Sequence, residues 1–119
     1  MGGEVRAQCK CGVGATSRVG GGMMDFDTIA YFPCLCNQCQ SVVEVNLRAK
    51  IPCCPRCQST DVIPYDDQSL HFDPGLNSVT NLNLEEEFGR ILSLKDGLYW
   101  CPKCREMTLR FWDTGLDWD

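Results

Sequence analysis

The 119-residue sequence has one histidine, no long apolar run and no cluster of basic residues. No stretch approaches the roughly 18–20 apolar residues of a membrane span, and the first residues lack the apolar core of a signal peptide. We therefore expect a soluble, cytoplasmic protein. The single histidine, His71, has no cysteine within ten residues, so we expect an ordinary solvated loop residue and not a metal ligand.

The shortage of positive charge bears on the partner. The formal net charge is −5, and the basic residues are scattered along the chain. Nucleic-acid binders obtain most of their affinity from clustered Lys and Arg that contact phosphates. A nucleic-acid partner is therefore disfavoured, although a local basic patch stays compatible with the charge. We expect the partner to be another protein, and no small-molecule substrate or membrane is indicated.

Cysteine, in contrast, is abundant: the chain has ten, and eight of them form four tight pairs. Two thiolates separated by two residues can reach one ion from a single tight turn, whose N–H groups then stabilise their charge. The pairs predict two Zn(Cys)4 sites with the ligands Cys9, Cys11, Cys36, Cys39, Cys54, Cys57, Cys101 and Cys104. A site closed by four protein ligands leaves no open position for water or substrate, so no catalytic residue is expected.

The spacing also indicates which pairs share an ion. The two inner pairs follow the pattern C-x2-C-x14-C-x2-C, which predicts one site, the inner site, made of Cys36, Cys39, Cys54 and Cys57. The outer site then ties the two ends of the chain together through Cys9, Cys11, Cys101 and Cys104. A sequential grouping, with the first four pair members in one site and the last four in the other, is the main alternative.

Two cysteines, Cys34 and Cys53, fall outside the pairs. We interpret both as small buried hydrophobic residues beside the inner site. Each is also placed to substitute for a neighbouring ligand, Cys36 or Cys54.

In zinc-finger peptides metal binding contributes about 10–16 kcal/mol, as much as the whole stability of a small domain, so we expect the metal-free chain to be largely unfolded.

The inner pairs resemble the knuckles of the zinc-ribbon or rubredoxin-like group of folds, in the motifs Cys36-Asn37-Gln38-Cys39 and Cys54-Pro55-Arg56-Cys57. A third motif, Cys101-Pro102-Lys103-Cys104, is similar. The resemblance implies an architecture and a metal, not an activity. Rubredoxins proper bind iron for electron transfer and usually carry glycine after each knuckle. This chain has Gln40, Gln58 and Arg105 there, which favours zinc over iron.

Short β-rich segments flank these motifs, and one segment has helical periodicity. In residues 83–94, Asn83 is a suitable cap, and an apolar stripe is formed by Leu84, Phe88, Ile91 and Leu92. The predicted fold class is a small, metal-stabilised, mainly β protein made of two zinc-ribbon modules with one amphipathic helix. The predicted domains are a central ribbon (28–65), a second module from both chain ends (4–27 and 96–119), and a linker with the covering helix (66–95).

The sequence supports three functional hypotheses. The favoured one is a non-catalytic protein-interaction or adaptor module with two structural Zn²⁺ ions. The second is a rubredoxin-like iron or thiol redox protein, and the third is a nucleic-acid-binding zinc ribbon.

Residues 111–119 contain two tryptophans beside three aspartates. We expect this segment to fold over the outer site, with a partner-binding tail as the alternative.

Overall fold

A computed structural model of the chain describes residues 2–21, 29–71, 78–84 and 90–118. These residues form strands joined by tight turns, and their only helical element is a 3₁₀ turn at Gln68–Leu70. None of their helices has the length and apolar character to cross a membrane. The strands are β1 (Gly2–Cys9), β2 (Gly14–Gly20), β3 (Tyr31–Cys36), β4 (Ser41–Asn46), β5 (Val62–Pro64), β6 (Ser78–Leu84), β7 (Arg90–Lys95), β8 (Tyr99–Cys101) and β9 (Glu106–Trp118).

Seven of the strands form one antiparallel sheet. Its order is β4-β3-β2-β1-β9-β8, and β5 pairs with β3 beside this path. The first strand therefore pairs with the last, from Cys9 opposite Leu109 to Gly2 opposite Trp118. The connection between β2 and β3 is narrow, because it consists of the single pair Gly20 and Tyr31. The predicted domain boundaries stay a prediction, since one sheet runs through both expected modules.

The predicted helix at 83–94 is wrong. Its ends belong to two strands, β6 and β7, which pair as an antiparallel hairpin, and residues 85–89, with Phe88, lie outside the described residues. In β7, Leu92 and Leu94 are fully buried whereas the side chain of Ile91 is 49% exposed. Burial therefore alternates with the two-residue period of a strand. The expected fold class is thus corrected: the described chain is mainly β, and the element that covers the sheet is a hairpin.

This hairpin covers one face of the large sheet. β6 lies against β1, β2 and β9, and its Leu84 is fully buried. The sheet residues that face the same interior are apolar or small at alternate positions, as the pleat requires. They include Val5, Ala7, Ser17, Val19, Leu109 and Phe111.

β2 and the end of β9 differ from the expectations. No strand was predicted at residues 14–20, which are mostly small, yet they form β2 and bury Ser17 and Val19. Residues 111–118 do not fold back from the sheet over the outer site, and they do not leave it as a tail. They continue β9 along β1, away from Cys9.

Three aromatic side chains link the two halves of the sheet. Tyr65, just after β5, packs edge-on against Tyr99 of β8 and Phe111 of β9, with ring centroids 6.2 and 5.2 Å away. The Tyr65 hydroxyl donates a hydrogen bond of 2.9 Å to the carbonyl of Trp100, next to Cys101. The C-terminal end of the predicted central ribbon (28–65) is therefore held directly against β8, the strand that ends at Cys101 of the outer site.

An ion pair reinforces the narrow β2–β3 connection. The guanidinium of Arg18 on β2 donates to both carboxylate oxygens of Glu44 on β4, at 3.2 and 2.9 Å, and the Arg18 N–H donates to the same carboxylate at 2.6 Å. The guanidinium also lies over the ring of Tyr31, 4.2 Å from its centroid. Glu44 thus joins β2 to the inner hairpin across the point where the backbone pairing is weakest.

Replacing Glu44 with glutamine should loosen this joint. The two side chains are 43% and 25% exposed, so water screens the pair, and we expect a loss of about 1 kcal/mol in the free energy of unfolding. Urea unfolding of the purified protein measures it. Glu106→Gln, an equal charge change at an exposed site, is the control, and an equal loss in both variants would contradict this role.

Candidate metal centres

The structure brings the eight paired cysteines into two groups of four. One contains Cys36, Cys39, Cys54 and Cys57, and the other contains Cys9, Cys11, Cys101 and Cys104. Within each group all four sulfurs lie within 4.8 Å of one another. The two inner pairs thus share one group and the two outer pairs share the other, a nested grouping. No described group mixes inner with outer pairs. That these cysteines bind metal stays a prediction.

The distances between sulfurs suit a tetrahedral ion. In the inner site Cys36 Sγ lies 3.7 Å from Cys57 Sγ, and Cys39 Sγ lies 3.8 Å from Cys54 Sγ. In the outer site Cys9 Sγ lies 3.6 Å from Cys104 Sγ, and Cys11 Sγ lies 3.7 Å from Cys101 Sγ. A Zn–S bond of about 2.3 Å gives a tetrahedron with edges of about 3.8 Å, whereas a disulfide bond is about 2.0 Å long. All ten cysteines are free, so both groups fit four-coordinate metal.

The three C-x2-C turns have one shared geometry. In each, the carbonyl of the first cysteine accepts a hydrogen bond from the N–H four residues later, at 2.7 to 2.9 Å. That later residue has a left-handed backbone, with φ of 53° at Gln40 and 59° at both Gln58 and Arg105. These are the positions at which rubredoxins carry glycine. The turn therefore tolerates side chains in a conformation that costs about 1–2 kcal/mol per residue.

Backbone N–H groups in these turns point at sulfur. The N–H of Cys39 lies 3.3 Å from Cys36 Sγ, and the N–H of Cys104 lies 3.4 Å from Cys101 Sγ. In the second inner turn Arg56 N–H lies 3.4 Å from Cys54 Sγ. In every pair the first cysteine is the more buried. The backbone thus supplies positive dipoles to the sulfur that water reaches least.

The C-x-C pair of the outer site uses a different turn. Cys9 ends β1, and Cys11 lies in a three-residue hairpin loop closed by hydrogen bonds from Cys9 N–H to Val13 C=O and from Gly12 N–H to Cys9 C=O, both 3.0 Å. Gly12 has φ of 99°. A glycine of positive φ at the last loop position is typical of such hairpins. One intervening residue is enough because a strand end supplies the first ligand.

One thiol in each group ionises easily. Burial raises the pKa of Cys9, but hydrogen bonds from the Cys11 N–H and the Thr108 hydroxyl outweigh it and lower the pKa to about 6. Burial also raises the pKa of Cys54, yet N–H groups in its turn lower it to about 7. The sequence did not point to Thr108, whose oxygen lies 3.1 Å from Cys9 Sγ, because that contact depends on the non-local register of β1 and β9.

Other thiols keep their protons. Hydrogen bonding with Cys57 is the main cause that raises the pKa of Cys39 to about 12, and hydrogen bonding with Cys11 does the same for Cys104. Burial raises the pKa of Cys36 and of Cys101 as well. A metal ion must displace these protons to bind four thiolates.

The remaining candidates lie outside both groups. Cys34 is fully buried in β3, where its thiol donates to the Phe32 carbonyl at 3.5 Å, and burial raises its pKa far above the ordinary value. Cys53 is half-buried and belongs to neither four-sulfur group. His71 also lies outside them and packs edge-on against Tyr99, 5.7 Å between centroids.

Comparisons with known proteins do not identify a family. No protein-family model, curated protein or solved structure matches the chain. The two four-sulfur groups nevertheless fit zinc-ribbon-like metal sites. The resemblance to that fold group therefore depends on the cysteine geometry and the shared turns.

Replacing Gly12 with alanine should weaken the outer site. No heavy atom lies within 4 Å of the added Cβ, so the cost comes from the positive φ alone, about 1 kcal/mol, or roughly fivefold in metal affinity. Competition with a chromophoric zinc chelator measures the affinity. Gly14→Ala is the matched control, because Gly14 lacks the positive φ and its Cβ would have an ordinary contact of 3.9 Å with Ala7 O. If both variants bind zinc alike, Gly12 does not shape the site.

Zinc binding should release protons. Cys36, Cys39, Cys101 and Cys104 have raised pKa values and are protonated at pH 7, so we expect at least two protons per group. Affinity should then fall as pH falls. Calorimetry of ZnCl2 binding in two buffers of different ionisation enthalpy measures the release, with MgCl2 as the control. A binding enthalpy that does not depend on the buffer would contradict this.

Proposed function

We propose that the chain is a zinc protein in which each four-cysteine group binds one Zn²⁺ with a structural role. The supporting observation is the closed geometry of both groups, with sulfur contacts of 3.6 to 3.8 Å. Four protein ligands complete a tetrahedron, so the ion has no position for substrate. A reducing compartment such as the cytoplasm keeps thiols free, and ten free cysteines support our proposal of a cytoplasmic protein.

The proposed biochemical role is that of a protein-interaction or adaptor module without catalytic activity. Two zinc sites would take the formal charge from −5 to −9, since four thiolates and one Zn²⁺ contribute −2 each time. Such a charge opposes binding to a phosphate backbone. A zinc-stabilised sheet gives a small chain a rigid surface, and on this proposal that surface binds another protein.

Serine substitutions in the two groups test the metal assignment. We expect two zinc ions per chain in the purified protein, and a colourless solution, by elemental analysis and absorption spectroscopy. Cys104→Ser should lose the outer zinc and separate β1 from β9 while residues 28–65 stay folded, whereas Cys54→Ser should unfold residues 28–65. Amide exchange measured by NMR distinguishes these outcomes.

Cys53→Ser is the matched control, because Cys53 adjoins a ligand but lies outside both groups, so it should keep both ions. Iron with visible absorption would show a rubredoxin-like site instead. If the Cys54 and Cys104 variants lose the same ion, the two groups are not separate sites.

A further inference from the structure

The two faces of the large sheet differ. The β6–β7 hairpin covers one face, while no described element lies over the opposite face at β1 and β9. On that open face Arg6 stands opposite Trp112, and Gln8 stands opposite Arg110. All four are exposed, and Trp112 is 48% exposed although it lies in the middle of a strand. A large aromatic side chain is thus presented to solvent from a rigid position.

A groove of about 450 Å³ lies beside Trp112 at the outer site. Trp112, Met107 and Leu98 contribute apolar surface to it, and Lys10 and Arg110 contribute positive charge. No carboxylate lines the groove. Among the residues that the structure describes, the salt bridge joins Arg18 to Glu44, away from the groove.

The surroundings set the direction from which an anion can approach. On its other side Arg110 donates to the Asp96 carbonyl at 3.4 Å, and a smaller cleft there is lined by Asp96 and Asp113. Arg110 lines both spaces, and of the two only the groove has no carboxylate in its lining. Cys9, an outer-site ligand, also lines the groove, so the metal site fixes the wall against which a ligand would pack.

We propose that this groove docks an extended segment of a partner protein that carries a carboxylate side chain next to a large apolar side chain. The carboxylate would bind Arg110 and Lys10, and the apolar side chain would pack on Trp112 and Met107. Arg, Trp and Met are the residue types that protein interfaces concentrate. Nucleic acid requires many phosphate contacts, whereas this groove offers two cations on an acidic chain.

The inference rests on the proposed interaction role, and peptides selected from a random library test it. Random dodecapeptides displayed on phage are selected on the zinc-loaded protein, and those that also bind Trp112→Ala are removed. We expect a consensus that contains Asp or Glu close to an aromatic or aliphatic residue. A fluorescein-labelled consensus peptide then gives affinities by anisotropy, with each variant checked for wild-type metal content.

Arg110→Glu should weaken the peptide at least tenfold, and exchanging the peptide's acidic residue for lysine should restore binding to that variant. Lys50→Glu, the same charge change at an exposed loop residue away from the groove, should stay within twofold of wild type. Selected peptides that lack an acid, or that bind Arg110→Glu as well as wild type, would overturn the groove and leave the interaction role standing.

The other outcomes are also decisive. If no peptide is enriched, both the groove and the interaction role fail. Oligo-dT of 20 nucleotides that binds wild type and not Trp112→Ala would assign the groove to single-stranded nucleic acid. A wild-type dimer in analytical ultracentrifugation that Trp112→Ala dissociates would assign it to a second copy of the chain. Either result overturns the proposal.

Discussion

The mutual repulsion of four sulfurs in contact is the constraint on which this fold depends. Two thiolates about 3.7 Å apart repel by about 4 kcal/mol even at an effective dielectric constant of about 20. The chain holds two such groups, and the described residues give them backbone N–H dipoles and, at Cys9, one hydroxyl. Without a cation, the sulfurs must stay largely protonated, and the turns that converge on them have little reason to stay together. The strands extend outward from these turns.

The two halves of the sheet are joined by one backbone pair and a few specific side chains. The backbone contributes one residue pair between β2 and β3. Arg18 with Glu44 reinforces it on the open side, and Tyr65 with Trp100 connects the halves through the interior. Any coupling between the two four-cysteine groups therefore depends on these few side chains.

The sequence predicted the parts of this structure that are local. Ligand spacing limits which cysteines can share a turn, so the inner group and its flanking strands could be inferred from residues 28–65. The helix prediction at 83–94 failed because the spacing of Leu84, Ile91 and Leu92 is compatible with a helix and also with two short strands. Only the strand-pairing partners distinguish the two structures. No strand was predicted at β2, because its residues are mostly small and lack the large apolar side chains typical of strands. Small residues can form a strand there because the β6–β7 hairpin packs against it. The register of β1 with β9 spans almost the whole chain, and no local pattern encodes it.

The nested grouping orders the events of biosynthesis. Chains emerge from the ribosome N-terminus first, at about 5–20 residues per second, and domains fold as they emerge. The inner group is complete once Cys57 has been made, whereas Cys9 and Cys11 must wait for Cys101 and Cys104. During that interval the first two cysteines face the nascent inner group, with four thiols of the same kind. The tight C-x2-C turns then protect fidelity, because an inner group that closes early removes the competing ligands before the last strand arrives.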